Sequence, residues 1–191
     1  MIITISGTPG SGKSTVAKIL QKKLHAERIY VGGIRRELAR EKGITLEELN
    51  EYAKTHAETD RDVDRKASEH AKKLEKEGKT VISEGYTQFY FLPKSIKIFI
   101  KVSPDEAARR IWKDLQQKET REARNEGDIT SLEQMKKRVH ERLKEDNARY
   151  KKYYGLDYLD ESHYDLVLDS TNSTADKVAE KIIKFIKGSH N

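Results

Sequence analysis

The sequence predicts an α/β fold, a three-layer sandwich with a central parallel sheet between helices and a helical insertion beside it. Three observations carry that expectation. Short β-branched runs alternate with long stretches of helical periodicity, the pattern of parallel strands joined by helical crossovers. A glycine-rich turn joins the first run directly to a helix, and one long, highly charged stretch interrupts the alternation late in the chain.

Ile2, Ile3, Thr4 and Ile5 form the first run, which ends at Gly7 and suits a strand buried on both faces. From Ser14 the apolar residues Val16, Ala17, Ile19, Leu20 and Leu24 recur at helical spacing. A short strand over Arg28 to Val31 precedes Gly32 and Gly33, and a helix over Ile34 to Lys42 is closed by Gly43. Thr45 and Glu48 form a capping box that opens another helix, and Arg61 to Glu77 is helical up to Gly78. Thr80 to Ser83, Ile96 to Val102 and Asp165 to Leu168 supply three further strands. Between Ala107 and Tyr154 the chain is charged and helical, broken only from Asn125 to Ser131. That segment is expected to bury little and to stand off the core as a lid over about 109–150. A last amphipathic helix, Ala175 to Ile186, carries Val178, Ile182, Ile183 and Ile186 on one stripe. One domain over 1–187 is expected, with Gly188 to Asn191 set apart as a tail.

A chain of 191 residues is long enough for one such domain. Its 38 basic and 32 acidic residues leave a formal charge of +6, an excess that suits polyanionic ligands. The basic residues alternate with acids along helices, so most are expected to be solvated and no stable nucleic-acid complex is expected. Absence of cysteine removes disulfides and thiolate metal sites, and a cytoplasmic setting is expected. No window approaches the ~20 apolar residues of a membrane span, and the N-terminus has no basic leader, so neither membrane nor export is expected. The expected state is a monomer. His25, His56, His70, His140 and His163 lack ligand spacing and are expected at the surface.

Gly7-Thr8-Pro9-Gly10-Ser11-Gly12-Lys13-Ser14 matches G-x-x-x-x-G-K-[ST] between a strand and a helix, the context the pattern requires. The sandwich is therefore expected to be that of the P-loop NTPases. Glycines let successive backbone N–H groups turn inward as an anion nest, and the helix N-terminus adds partial positive charge. Lys13 is expected to reach the β- and γ-phosphates of ATP, Ser14 to offer its hydroxyl to Mg²⁺, and Thr15 to donate to an α-phosphate oxygen. A flexible loop with a chance lysine would need neither the strand before it nor the helix after it.

The loop alone does not separate GTPases, ATPases and kinases. No Asp-x-x-Gly or Asn-Lys-x-Asp sequence is present for switching and guanine reading, whereas an arginine-rich lid is. Phosphoryl transfer needs cations around the equatorial oxygens and exclusion of water, and a closing basic lid supplies both. Arg109, Arg110, Arg121, Arg124, Arg138, Arg142 and Arg149 are the candidates, each against the alternative of a solvated helix arginine. Ser83-Glu84-Gly85 ends a strand where ligands bind in open parallel sheets. Two readings stand for Glu84: a carboxylate that holds Mg²⁺ or the acceptor, and a strand-end acid paired with a lysine. Arg36, one turn into the helix after Gly32 and Gly33, is read as a phosphate clamp in preference to a surface arginine.

With these residues in place the chain resembles the nucleoside monophosphate kinases, most closely the archaeal-type cytidylate kinases, nearly end to end. Tyr30-Val31-Gly32-Gly33-Ile34-Arg35-Arg36 is similar to that family's Ser-Ala-Gly-Asp-Ile-Phe-Arg, and Asp60 with Asp64-Arg65 resembles its acidic helix. Ser131 to Arg142, Arg149 to Asp157 and Ser162 to Leu168 resemble its lid exit and late strand. The resemblance implies a transfer of the γ-phosphoryl group from Mg-ATP to CMP, dCMP or a related monophosphate. By it Lys13 and Gly12 would handle ATP, Arg36 the acceptor phosphate, and Arg142 and Arg149 the charge of the transferred group; Arg110 is expected to join the catalytic set, and Gly32, Asp64, Glu84, Gly85 and Tyr86 to join Arg36 at the acceptor. Three departures fall on the acceptor side: Tyr86 stands where the family has arginine, Gly33 where it has an acid, and Tyr30 where it has a small hydroxyl residue. Tyr86 is read as a platform able to stack on a base. Two other readings stay open, a kinase of another small-molecule or nucleic-acid hydroxyl and a nucleotide-binding protein whose acceptor site has decayed.

Overall fold

Five strands form the sheet, β1 (Ile2–Gly7), β2 (Glu27–Tyr30), β3 (Val81–Glu84), β4 (Ile96–Lys101) and β5 (Leu166–Asp169); β1 and β3 are buried throughout, whereas the edge strands β2 and β5 are only partly covered. The structure is a computed structural model and describes residues 1–188. All pairings are parallel, in the order β2-β3-β1-β4-β5, so β1 is central and each of its residues is buried. Ile5 pairs with Glu84 and Gly7 with Ile100, which sets the carboxyl ends of β1, β3 and β4 side by side. From β1 the chain runs to one side of the sheet, and from β3 it crosses to the other. A crevice opens at that reversal, outside the strand ends.

Helices cover both faces. On one, α1 (Lys13–Lys23) and the last helix, Ala175–Gly188, bury Val16, Ala17, Leu20, Val178, Ile182 and Ile186 against Ile3, Ile5, Ile82, Ile98 and Ile100. The other face receives α4 (Glu58–Lys76), whose Ala67, Ala71 and Leu74 pack on Ile2, Ile29 and Val81. Between them in sequence lie α2 (Val31–Glu41) and α3 (Leu46–Ala53), the latter opened by the Thr45–Glu48 capping box. A short helix the sequence pattern did not announce, α5 (Gln88–Phe91), follows β3 and buries Phe89 with Phe99, Tyr150, Leu156 and Tyr158.

Three expectations are corrected. Helix α2 begins at Val31, so Gly32 and Gly33 lie in its first turn and Arg36 in its second. The segment expected to bury little forms a core of its own. In it, α6 (Pro104–Leu115) and α8 (Leu132–Tyr154) enclose Ala107, Ala108, Ile111, Leu115, Met135 and Val139. Their few apolar residues recur three or four apart, so a sparse stripe still faces one way. Only α7 (Lys118–Arg124), between them, buries nothing. Gly188 ends the last helix, α9, instead of opening a tail, and 189–191 lie outside the described residues. Among the described residues no helix is long and apolar enough to cross a membrane.

Candidate active site

The glycine-rich turn is pinned from two sides. Gly7 has φ +145°, and a Cβ there would lie 1.9 Å from the Ile100 carbonyl oxygen, so only glycine lets β1 turn against β4. Thr8 N donates to Ile100 O, Val102 N donates to Thr8 Oγ1, and Ser170 Oγ, after β5, donates to Ser11 O at 2.9 Å. Gly10 and Gly12 take positive φ, and Gly12 caps α1. Positive-φ glycines directly ahead of a helix N-terminus are the arrangement in which backbone amides form a nest for an anion.

Lys13 folds back over this turn and donates to Gly7 O at 2.9 Å and Thr8 O at 2.7 Å, with Nζ 5.1 Å from the centre of the Tyr86 ring. Desolvation lowers its pKa to about 7, against the attraction of Glu84 and with help from Arg142 and Arg36. The next residue of α1, Ser14, donates its hydroxyl to Glu84, whose second oxygen accepts from Arg28. Glu84 is therefore ion-paired as the second reading of it required, with an arginine in place of a lysine, yet it also meets the serine of the phosphate loop.

These groups share one wall of a cavity of about 750 Å³. Every predicted site residue borders it except Gly7 and Thr8, which lie beneath the turn. Pro9, Gly10, Ser11, Gly12, Lys13, Ser14 and Thr15 line the donor side, and Gly32, Arg36, Asp64, Glu84, Gly85 and Tyr86 line the rest with Arg110, Arg142 and Arg149. The structure also separates the arginines of the charged segment. Arg124 borders the cavity and donates through Nε to Asp114 at 3.0 Å, whereas Arg109 and Arg121 are exposed and Arg138 is spent on Glu47 and Glu145.

Arg110 donates to the carbonyls of Ser170 and Thr171 and to Glu106. Arg142 donates to both oxygens of Glu126 at 3.0 and 3.2 Å, and Arg36 approaches the same carboxylate at 3.7 Å. Burial opposes ionisation of Glu126, but Arg142, Arg36 and Arg124 hold its carboxyl below the usual range. Arg149 joins Asp60 at 2.7 Å to Asp146 at 2.8 Å, and Asp60 also accepts from Arg35, which donates to Asn50 at 2.8 Å. Asp64 accepts from Gln88 Nε2 at 3.2 Å and Tyr154 OH at 2.9 Å, and burial pushes its carboxyl up to about 6. Tyr86 packs 4.9 Å from Tyr158 and presents its ring to Lys13, at the phosphate end of the cavity.

Sequence reasoning did not single out Arg28, Asn50, Glu126, Asp146 or Ser170. Nothing local marks Arg28, Asn50, Glu126 or Ser170, whose side-chain hydrogen-bond partners lie 15 or more positions away, whereas Asp146 pairs with Arg142 and Arg149 on its own helix, a spacing the sequence does show. Among the described residues no cluster of three or more His, Asp or Glu could hold a metal by itself. The Ser14 hydroxyl and the Glu84 carboxylate are nevertheless hard oxygen donors in contact, the pair a magnesium ion needs when phosphates and water supply its other ligands.

A model of the AAA domain family matches residues 3–131. The chain is 36% identical over 188 residues to a cytidylate kinase of Archaeoglobus fulgidus, covering 98% of this chain and 95% of that protein. It is also 33% identical over 190 residues to an S-adenosylmethionine-dependent nucleotide dehydratase of Lacinutrix mariniflava, covering 98% of this chain but 36% of that longer protein. A solved shikimate kinase from Acinetobacter baumannii, in complex with shikimate, superposes with a TM-score of 0.58 at 17% identity, over 98% of this chain and 93% of that one.

Proposed function

Because the chain belongs to the AAA domain family and to the nucleoside monophosphate kinases of cytidylate type, we propose that it transfers the γ-phosphoryl group of ATP to CMP, dCMP or a closely related monophosphate. The observation that carries this reading is one cavity in which Lys13, Arg36 and Arg142 lie close enough for the two arginines to act on the pKa of Lys13. Two arginines and the loop lysine bordering one cavity suit a transfer between two phosphates. The nest of amides would hold the donor's tail, with Lys13 leaving its two carbonyls to follow the γ-phosphoryl charge. Arg36 would hold the acceptor phosphate, and Arg142 and Arg149 would stabilise charge as the bond from γ-phosphorus to ADP oxygen breaks and that to the acceptor oxygen forms. No general base is required, since the attacking phosphate oxygen is already ionised. Magnesium would supply charge neutralisation at the β- and γ-oxygens, held by Ser14 and Glu84.

A coupled assay over the eight common ribo- and deoxyribonucleoside monophosphates tests the acceptor. CMP and dCMP are expected to lead, and ADP release with none of the eight would defeat the proposal. Since Tyr86 presents its ring to Lys13, discrimination among pyrimidines is expected to be modest.

Lys13 makes a second test available. Below pH 7 its amine is charged with or without nucleotide. Above pH 7 the free protein has lost that proton, and a polyphosphate beside the amine restores it. Binding of β,γ-methylene-ATP at pH 8 is therefore expected to take up about one proton from buffer onto Lys13, and affinity to fall as pH rises. Calorimetry in buffers of different ionisation enthalpy reads the uptake. Lys13→Arg, which stays charged, is expected to abolish it, and equal uptake in both proteins would contradict the assignment.

A further inference from the structure

Five side chains on four elements form an unbroken line across the cavity. Ser14 on α1 donates to one oxygen of Glu84 on β3, and Arg28 on β2 donates to the other. The guanidinium of Arg28 lies 4.6 Å from the centre of the Tyr30 ring, at the end of the same strand. The Tyr30 hydroxyl accepts from Arg36 Nη1 on α2 at 2.8 Å, and the same nitrogen donates to Gly32 O at 3.0 Å. In the function proposed above, on which this inference rests, the first two residues serve the donor and the last serves the acceptor.

Two observations set this line apart from incidental packing. The first turn of α2 is cleared for the tyrosine ring: a Cβ on Gly33 would lie 2.5 Å from Tyr30 Cδ1, and one on Gly32 3.0 Å from Cε2. Two adjacent glycines weaken a helix, so this placement of the ring is maintained against local preference. The second is the state of Arg28. Its side chain is only 12% exposed, yet its buried Nε has no hydrogen-bond partner among the described residues. Protein groups leave one of its donors open.

We propose that Tyr30, together with Arg28, is a positioning bridge through which occupation of the phosphate loop orients Arg36. A triphosphate with its magnesium draws the Ser14 hydroxyl and the Glu84 carboxylate toward itself. Arg28 follows the carboxylate, the stacked ring follows Arg28, and the hydroxyl re-aims Arg36 at the acceptor phosphate. Donor and acceptor then strengthen each other's binding, and by linkage they do so equally.

The test uses Tyr30→Phe, which keeps the ring over the glycines and removes only the hydroxyl. The Nε resonance of Arg36, assigned with Arg36→Lys, is followed while Mg²⁺ and β,γ-methylene-ATP are added without any acceptor. In the wild type it is expected to shift. In Tyr30→Phe the analogue is expected to bind within about twofold of wild type while the Arg36 signal stays in place. A second arm compares CMP affinity with and without the analogue: about fivefold or more tightening in the wild type, collapsing toward one in Tyr30→Phe. An unmoved Arg36 signal in the wild type, or an equal shift in Tyr30→Phe, overturns the bridge. Failure of CMP to bind while the Arg36 shift depends on Tyr30 overturns the cytidylate reading and leaves the bridge standing.

Discussion

Lys13→Ala is expected to lower kcat by about 10²–10³-fold while the fold persists, the loss that follows removal of one preorganised donor from a developing oxyanion. The asymmetry comes from where the amine sits. Without nucleotide it donates only to the carbonyls of Gly7 and Thr8, at the edge of a cavity open to water, which can replace it there. Because desolvation depresses its pKa in the folded protein, the charged amine is itself held at a cost, so its loss should leave unfolding stability unchanged or raised at neutral pH. In the transition state water is excluded and the γ-phosphoryl charge loses its nearest cation, so the cost appears in kcat. Affinity for ATP should fall less, because the turn amides and the N-terminus of α1 remain. Lys13→Arg should fall between the two, its planar fork fitting poorly where a compact ammonium reaches two carbonyls. Turnover of Lys13→Ala within tenfold of wild type would remove Lys13 from the transfer step.

The donor half of the site was legible because it is local. β1, the turn and the start of α1 are one covalent stretch of Ile2 to Ser14, and both the apolar run and the spacing of Gly7, Gly12 and Lys13 are properties of neighbours in sequence. The opposite half of the cavity, where the acceptor is proposed to sit, is assembled from α2, α3, α4 and α8, and its pairs lie far apart: Arg35 and Asp60 by 25 positions, Asp60 and Arg149 by 89. A charged residue on a helix reads as solvated until its partner is known, which is why Asp146 passed unnoticed, and Glu126, in the break between α7 and α8, carries no local signal. The same reasoning overstated the exposure of 107–154, where Ala107, Ile111, Leu115, Met135 and Val139 are few but aligned. Two departures from the family pattern also prove to be one. Tyr30 fills the space over residue 33, so the acid the pattern places there has no room, and the glycine is the tyrosine's counterpart.

The largest effect on stability is expected at Arg149. Its side chain is 2% exposed, and it holds Asp60 through Nε and Asp146 through Nη2, two carboxylates that are themselves 2% and 3% exposed. Burial opposes its charge, but Asp146 and Asp60 hold its pKa above the ordinary arginine value. Arg149→Met keeps much of the volume and leaves Asp146 with only the weaker approach of Arg142 at 3.6 Å, while Asp60 keeps Arg35. Removing one partner from a buried ion pair costs about 3–5 kcal/mol, because the remaining charge stays buried and uncompensated. Denaturant unfolding is therefore expected to show a loss of that size, with Arg149→Met/Asp146→Asn recovering part of it, since the stranded charge is gone. A purely apolar role for the side chain predicts no recovery in the double variant. Activity should fall further than stability explains, because Arg149 Nη1 has no protein partner among the described residues and the side chain borders the cavity. In the recovered double variant kcat should accordingly remain low even where the protein is fully folded, and restoration of both together would show that Arg149 only braces the helices around the site.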